Sequence, residues 1–234
     1  MVSLRGNRIF LAGPLVAVMA LAACVGAPDV RRSVPVKRPV AQKPVLTPAP
    51  RFADDVSTRQ CMADLGAASV QYSALPDRQF DGGCSTLGSV KLIDIGTPVT
   101  NLGAMTCPLA KNFAAWARYG VRPAARQILG AEVVKIETMG TYNCRTVNGN
   151  GGATGRLSEH AHSNAVDVAA FVLDDGRRIA VRGGWKEGTS SERAFLKTIH
   201  NSACKRFATV LSPDYNAAHY DHFHLDMGRG PFCR

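Results

Sequence analysis

The chain has 234 residues, 46% of them hydrophobic and 20% charged, with a formal net charge of +10. This length exceeds what most single compact domains need, but the first fifty residues do not have a globular composition. So basic a protein usually binds nucleic acid, a partner that the export signal described next excludes. Anionic envelope polymers or phospholipid head groups remain as candidate binding partners, unless the positive charge serves only solubility.

Residues 1–23 have the composition of a secretory signal peptide. Arg5 and Arg8 precede an apolar run, Ile9 to Ala22, that is short for a membrane-spanning helix, and the segment contains no acidic residue. Its removal takes away two arginines and no acid, which lowers the net charge from +10 to +8.

The segment ends in Leu21-Ala22-Ala23-Cys24, which resembles the lipobox of bacterial lipoproteins. The resemblance implies that Cys24 is lipidated and becomes the first residue of the mature chain. Val25 follows instead of aspartate, which by analogy favours the outer membrane and the periplasmic face of the envelope. The alternative is an ordinary signal peptide or a membrane anchor in which Cys24 is incidental.

Residues 24–58 are predicted to form a tether. From Val25 to Arg51 the chain contains six prolines, several basic residues and almost nothing that could form a core. Such a composition stays extended and solvated, so it could hold a domain several tens of ångströms from a lipid anchor. A linker with no length requirement is the alternative.

The predicted folded domain spans residues 59–234 and carries six cysteines. They are Cys61, Cys84, Cys107, Cys144, Cys204 and Cys233. An even number in an exported chain predicts three disulfide bonds, although the sequence does not choose among the possible pairings. A thiolate zinc site is the alternative, but no C-x2-C pair is present.

The hydrophobic pattern predicts an α+β fold, a small antiparallel sheet flanked by helices with a metal bound on one face. In chain order the predicted elements are helices at Pro108 to Trp116 and Pro123 to Leu129, a strand at Ala131 to Met139, a hairpin of Val166 to Leu173 with Arg178 to Val181, and an amphipathic helix from Ser190 to Phe207. Between the first strand and the hairpin, Asn148 to Gly152 is glycine-rich and could border a cleft.

Two segments carry residues that bind metals. In the first, six residues separate His160 from Asp167, a spacing that needs a turn, which Ser163-Asn164 favours. In the second, residues 221–226 alternate with the period of a strand, so that His222 and His224 point the same way. Asp221 then points to the other face unless a bulge re-aims it.

Imidazole and carboxylate are the ligands of open, catalytic zinc sites, which use three protein ligands and one water. We therefore predict that His160, Asp167 and His224 hold one Zn²⁺. His162 is the alternative to His160, and His200 is predicted to be structural.

The pattern S-x-H-x6-D followed by a distant H-x-H resembles the D-alanyl-D-alanine metallopeptidase and lysostaphin superfamily of peptidoglycan hydrolases. More narrowly, the segments Tyr142 to Arg145, Ser158 to His160 and His219 to Asp226 resemble the bacterial extensin-like protein C-terminal domain. The likeness covers roughly residue 60 to the end, and the two motifs are specific only in combination.

The resemblance implies the same ligand set and two candidates for the catalytic base. In the carboxypeptidase branch the base is an acidic residue three positions before the last ligand, here Asp221. In the lysostaphin branch the first histidine of H-x-H takes part in catalysis, here His222, which strand alternation also favours. Arg145 corresponds to an arginine that steadies the scissile carbonyl in relatives, and a bridged Cys144 would fix its backbone.

The carboxypeptidase branch has a glycine where this chain has Ser163, so a turn needing positive φ would be strained. Three further residues are predicted to support the ligands or contact substrate: Ser158, His219 and Asp226. His219 could instead be a plain surface histidine and Asp226 could cap a strand. Ser158 is not a candidate nucleophile.

These features predict a zinc-dependent peptidase that acts on peptidoglycan stem peptides or crosslinks, with a membrane contact through the lipid. The alternatives are a metal-bearing envelope protein that binds peptidoglycan without cutting it, and a purely structural lipoprotein. The sequence does not indicate which bond is attacked, the stereochemistry of the substrate, or the oligomeric state.

Overall fold

A computed structural model describes residues 55–149 and 152–234. The predicted signal peptide, the lipidated Cys24, most of the tether and the centre of the glycine-rich loop lie outside the described residues. None of the helices formed by the described residues combines the length and the apolar composition that a membrane crossing requires.

The chain is a mixed α/β protein with small antiparallel sheets and three disulfide bonds. The helices are α1 (Val56–Ala67), α2 (Cys107–Trp116), α3 (Arg122–Ala124), α4 (Val181–Gly184) and α5 (Ser190–Ala203). The strands are β1 (Gln71–Ala74), β2 (Arg78–Gln79), β3 (Ser85–Thr86), β4 (Ser89–Asp94), β5 (Val99–Thr100), β6 (Met105–Thr106), β7 (Val133–Gly140), β8 (Thr146–Gly149), β9 (Gly152–Leu157), β10 (Ala165–Leu173), β11 (Arg178–Ala180), β12 (Thr209–Leu211), β13 (Phe223–Asp226) and β14 (Phe232–Cys233).

The largest sheet has the strand order β14-β12-β13-β10-β7-β5, and β11 also pairs with β10. Strand β10 pairs antiparallel with β7, β11 and β13, which confirms the predicted hairpin and the predicted strand before it. The outer pairs β5 with β7 and β12 with β14 are parallel. A nine-residue strand with neighbours on both sides therefore places Asp167 in the centre of the sheet.

Helices α2 and α5 pack against one face of this sheet around Trp116. The indole ring lies edge-on to Phe171 of β10 at 6.1 Å, and Phe171 lies edge-on to Phe195 of α5 at 5.4 Å. The indole Nε1–H donates to the carbonyl of Ile199 at 2.9 Å, so the buried ring leaves no polar atom unsatisfied. The predicted helices at 108–116 and 123–129 are confirmed, but helical backbone also joins them into one stretch.

The amphipathic helix is shorter than predicted. Helix α5 ends at Ala203, and Phe207 is buried beyond its end, 6.3 Å from the ring of Trp116. Its N-terminus is held by a reciprocal pair, in which Thr189 accepts from the Glu192 amide and Glu192 accepts from the Thr189 amide. This capping box satisfies two amides that would otherwise lack partners.

A bulge in β10 changes which side chains of the strand face the helices. Val166 and Val168 belong to the core, and so does Phe171, although strict alternation would place residue 171 on the opposite face. The pairing with β7 slips between Val168 and Ala170, so one residue is inserted there and the alternation changes phase. Asp167 can therefore face away from the helices while the second half of the strand still fills the core.

Each disulfide joins segments that are distant in sequence. Cys61 pairs with Cys107 and links α1 to α2, while Cys84 pairs with Cys144 and anchors the loop before Arg145. The last bond joins the residue after α5 to β14 through Cys204 and Cys233. The predicted three bonds are confirmed, and the pairing that the sequence left open is 61–107, 84–144 and 204–233.

The turn between His160 and β10 contains the positive φ that a glycine would adopt more readily. Ser163 has φ of 54° and ψ of 24°, in the left-handed region, and its side chain is completely buried. Its hydroxyl has no hydrogen-bond partner among the described residues. A left-handed conformation costs a non-glycine residue roughly 1–2 kcal/mol, so the turn is built at some cost in stability.

We expect that replacing both Cys204 and Cys233 by serine lowers the free energy of unfolding by about 3–4 kcal/mol, because the bond restricts the unfolded chain. The 84–144 bond spans 60 residues and the 204–233 bond spans 29. Because loop entropy grows only logarithmically, the matched Cys84→Ser/Cys144→Ser variant should differ by only about 0.6 kcal/mol. Denaturant unfolding of the oxidised proteins measures both values, and a loss well below 1 kcal/mol in either variant would contradict this account.

We expect Ser163→Gly to raise the free energy of unfolding by about 1–2 kcal/mol, because it removes both the backbone strain and an unsatisfied hydroxyl. Glycine's greater freedom in the unfolded chain offsets part of that gain. Ser163→Ala removes the hydroxyl but keeps the strain, so its stability should lie between those of the other two proteins. Urea midpoints at constant slope measure the order, which a less stable glycine variant would refute.

Candidate metal centre and adjoining cleft

His160 lies in a short helical turn, Glu159–His162, that immediately precedes β10. Ser158 begins this turn, and its hydroxyl accepts from the His160 amide at 3.4 Å. The residue is 3% exposed, and Nδ1 of its imidazole lies 3.0 Å from the carbonyl oxygen of Thr141. Since a carbonyl only accepts, Nδ1 carries the proton and Nε2 presents a lone pair to the site.

His224 approaches the same point from β13, whose register with β10 places it opposite Asp167. Its Nε2 lies 3.0 Å from Oδ2 of Asp226, a carboxylate that accepts the Nε2 proton and is itself held by the Gly228 amide at 2.8 Å. The other nitrogen, Nδ1, is therefore directed at Asp167. Both imidazoles have the outer hydrogen-bond partner that metal-binding histidines usually have.

Three donor atoms converge on one another at this point. Nε2 of His160 lies 3.1 Å from Oδ2 of Asp167 and 3.2 Å from Nδ1 of His224, and that Nδ1 lies 3.0 Å from Oδ1 of Asp167. For ligands about 2.0–2.1 Å from a tetrahedral zinc, the expected separation between donor atoms is about 3.3 Å. The predicted ligands are thus brought together at distances that fit a shared divalent ion, and they form a group that could hold a metal.

The close approach of these side chains shifts the pKa values of Asp167 and His224. Burial acts to raise the pKa of Asp167, but its contacts with the imidazoles of His160 and His224 outweigh burial and hold that pKa well below its usual range. Burial acts to lower the pKa of His224, but hydrogen bonds to Asp167 and Asp226 outweigh it and raise that pKa to about 9. Without a metal, a proton on His224 therefore supplies the positive charge that the carboxylates require.

His222 lies beside this group and Asp221 lies behind His222. Nε2 of His222 is 3.6 Å from Oδ1 of Asp167, while its Nδ1 is 2.9 Å from Oδ1 of Asp221. The Asp221 carboxylate thus fixes the ring and directs Nε2 towards the site. The two residues that the sequence offered as alternatives form a single hydrogen-bonded pair.

A cleft of about 460 Å³ opens onto His222 and His224. One wall is the β8–β9 strand pair with Arg145 and Arg156, and other walls come from β12, the turn that contains His219, and the turn between β13 and β14. The amide of Ser158 donates to the carbonyl of Arg145 at 3.0 Å, which links this arginine to the turn that carries His160. Arg145, Ser158, His219 and Asp226 all border the cleft.

His219 is a third imidazole beside the two in the cleft. Its ring centroid lies 5.2 Å from that of His222 and 5.8 Å from that of His224, and its Nδ1 lies 2.7 Å from Oδ1 of Asn216. Burial lowers its pKa to about 4, with the neighbouring histidines adding to the effect. His219 is therefore neutral near pH 7 and can accept or donate a hydrogen bond without adding charge.

The remaining histidines lie elsewhere. Nδ1 of His162 lies 3.1 Å from Oγ of Ser85, so its side chain is directed away from the ligand group. His200 packs edge-on against Trp185 at 5.3 Å, near the Cys204–Cys233 bond. His200, Cys204 and Cys233 lie close enough together to suggest a second metal site. Because the two cysteines are bonded to each other, they offer no thiolate to a metal.

Two features of the site were not predicted. The carbonyl of Thr141, which orients His160, belongs to the backbone and has no side-chain signature. Arg229, Tyr215 and Phe232 line the cleft from segments whose folded path depends on tertiary packing. A glycine-flanked arginine just beyond the second motif is the only hint that the sequence gives of Arg229.

The chain matches the model of one protein family, described as extensin-like protein C-terminus, over residues 59–234. No curated protein and no solved structure matches it. The matched range contains the whole donor group and every residue that borders the cleft. The chain therefore belongs to the family of extensin-like protein C-terminal domains.

Proposed function

We propose that this protein is a zinc-dependent peptidase that cleaves peptides of peptidoglycan at the periplasmic face of a bacterial envelope. The observation that carries the proposal is the convergence of His160, Asp167 and His224 within hydrogen-bonding distance of one another. The superfamily resemblance to D-alanyl-D-alanine metallopeptidases and lysostaphin supports the choice of substrate. The resemblance to a lipobox supports anchoring through Cys24.

In this proposal His160 holds the ion through Nε2, His224 through Nδ1 and Asp167 through its carboxylate. When bound, zinc supplies an activated water near neutral pH and polarises the scissile carbonyl. Two neutral imidazoles and one carboxylate leave a formal charge near +1 at the centre, which keeps it electrophilic.

His222 is proposed as the general base, with Asp221 as the residue that orients it. The Asp221 contact to Nδ1 leaves Nε2 of His222 to accept a proton beside the donor group. Once protonated, the same nitrogen can donate to the leaving amine, which must gain a proton when the peptide bond breaks.

Arg145 is proposed to steady the negative charge that develops on the carbonyl oxygen. It lies on the wall of the cleft, next to a half-cystine that is bonded to Cys84, and its carbonyl is bonded to Ser158. A backbone held on both sides restricts where the guanidinium can lie, which lowers the cost of reorganisation during the reaction.

We expect the wild-type domain and His162→Ala to bind one zinc ion tightly, and His160→Ala to lose most of that affinity. Of these two histidines, only His160 directs a nitrogen at Asp167 and His224. Zinc content after dialysis against a weak chelator, measured by elemental analysis, gives the comparison. His162→Ala is the matched control for the loss of an imidazole. Equal zinc content in the two variants would contradict the assigned ligand set.

The raised pKa of His224 predicts how zinc binding depends on pH. Below pH 9 this imidazole carries a proton that zinc must displace, so binding at pH 7–8 should release about one proton and the apparent affinity should rise with pH. Above pH 9 the proton has already left, and both effects should level off. Calorimetry in buffers of different ionisation enthalpy counts the protons, and no release at pH 7 would contradict this assignment.

We expect His222→Ala to lower kcat by roughly 10²- to 10⁴-fold while zinc stays bound, because it removes the base and no ligand. Asp221→Asn should cost roughly 10- to 100-fold, since it weakens only the orientation of His222. Digestion of purified muropeptides with several crosslink types, followed by chromatography, measures both. A zinc-loaded wild-type protein that releases no fragment would instead indicate a metal-bearing binding protein without catalysis.

A further inference from the structure

Arginines outnumber carboxylates among the residues that line the cleft. Three arginines line it, but only two carboxylates, Glu159 and Asp226, and both carboxylates are engaged by the protein itself. Asn164 donates to Glu159 at 2.7 Å, and Asp226 accepts from the ring of His224 and from a backbone amide. A ligand entering the cleft therefore meets guanidinium groups more readily than carboxylates, which favours an anionic partner.

One of these arginines, Arg229, stands on a backbone that is closely packed although its side chain is exposed. A Cβ atom at Gly228 would collide with the side chain of Glu159, and one at Gly230 would collide with the backbone of Ala208. The hydroxyl of Thr209 donates to the carbonyl of Arg229 at 3.1 Å. The turn that carries Arg229 is thus pressed against its surroundings on both sides and held by a hydrogen bond.

The same turn leads into β14, which the Cys204–Cys233 bond fastens to the end of α5. Phe232 of this strand lies edge-on to Tyr215 at 5.6 Å, and both rings line the cleft. Arg229 and these two aromatic rings therefore border the same cleft. A guanidinium next to apolar groups binds a carboxylate more strongly than one surrounded by water, and its planar fork can bind both oxygens.

We propose that Arg229 binds a free carboxylate of the substrate, so that the site prefers peptides ending in a carboxylate over the same peptides ending in an amide. The inference rests on the proposed function, because it names the substrate class of the same cleft. It assigns Arg229 to recognition and leaves the reacting carbonyl to Arg145, which lies on the β8–β9 wall.

Binding to the metal-free protein tests this inference without requiring catalysis. The probes are an N-acetylated tripeptide ending in D-Ala-D-Ala with a free carboxylate and the same peptide with a C-terminal amide, titrated by ligand-observed NMR. We expect the wild-type protein to bind the acid roughly 10- to 100-fold more tightly than the amide, the range of one charge-assisted bidentate contact. Arg229→Met should bind both peptides equally weakly.

The matched control is Arg78→Met, which removes the same charge from an exposed position in β2 and should retain the wild-type preference. Arg229→Lys should keep a smaller preference, since an ammonium lacks the planar fork. The inference is overturned if the wild type shows no preference or no measurable binding of the acid, or if Arg229→Met keeps the preference.

Hydrolysis by the zinc-loaded proteins then separates the two proposals. Cleavage by the wild type with the acid preference lost in Arg229→Met supports both. Binding preference without any cleavage supports the role of Arg229 and refutes the peptidase, whereas equal cleavage of acid and amide supports the peptidase and refutes the role of Arg229.

Discussion

The arrangement of His160, Asp167 and His224 depends on one constraint: three lone-pair donors face one another at 3.0–3.2 Å with few protons between them. The outer nitrogens of both imidazoles are already committed, one to a carbonyl and one to a carboxylate. The interior of the group therefore repels itself unless a positive charge lies within it. The low pKa of Asp167 and the raised pKa of His224 express this requirement in the metal-free chain.

The fold meets this constraint by using segments that have no freedom to separate. Asp167 lies near the start of the central strand, and the antiparallel register with β13 sets His224 opposite it. His160 comes from a turn that Ser163 closes in a left-handed conformation, despite the cost to a residue with a side chain. The strained backbone at Ser163 lowers the stability of the fold, and the turn that it closes positions His160.

Much of the candidate site could be predicted because few residue types can hold a metal. The spacing from His160 to Asp167 required a turn, and the alternation around His224 placed His222 on the same face. Both expectations agree with where the side chains lie. The strain at Ser163 was also foreseeable, since the motif that this segment resembles has a glycine at that position.

Other features depend on interactions that a single sequence does not display. The bulge in β10 lies within Val168-Ala169-Ala170-Phe171, where no proline, glycine or charge marks an inserted residue. The helical backbone between α2 and Leu129 contains Gly120, which a local propensity argument would treat as an interruption. The disulfide pairing and the course of the turn that carries Arg229 follow from packing between segments that are far apart in the chain.

Asp221 and His222, which the sequence offered as alternative catalytic bases, form one hydrogen-bonded pair in the structure. In the two branches of the superfamily that the motifs resemble, the catalytic role belongs to an acid or to a histidine, and this chain has one residue of each type at the corresponding positions. Here Oδ1 of Asp221 is occupied by Nδ1 of His222, while Nε2 of His222 reaches to within 3.6 Å of Asp167. In the proposed reaction, a proton taken up by His222 creates a positive charge with a carboxylate on either side. In that reaction Asp221 would act through His222, and the imidazole would be the group that meets the substrate.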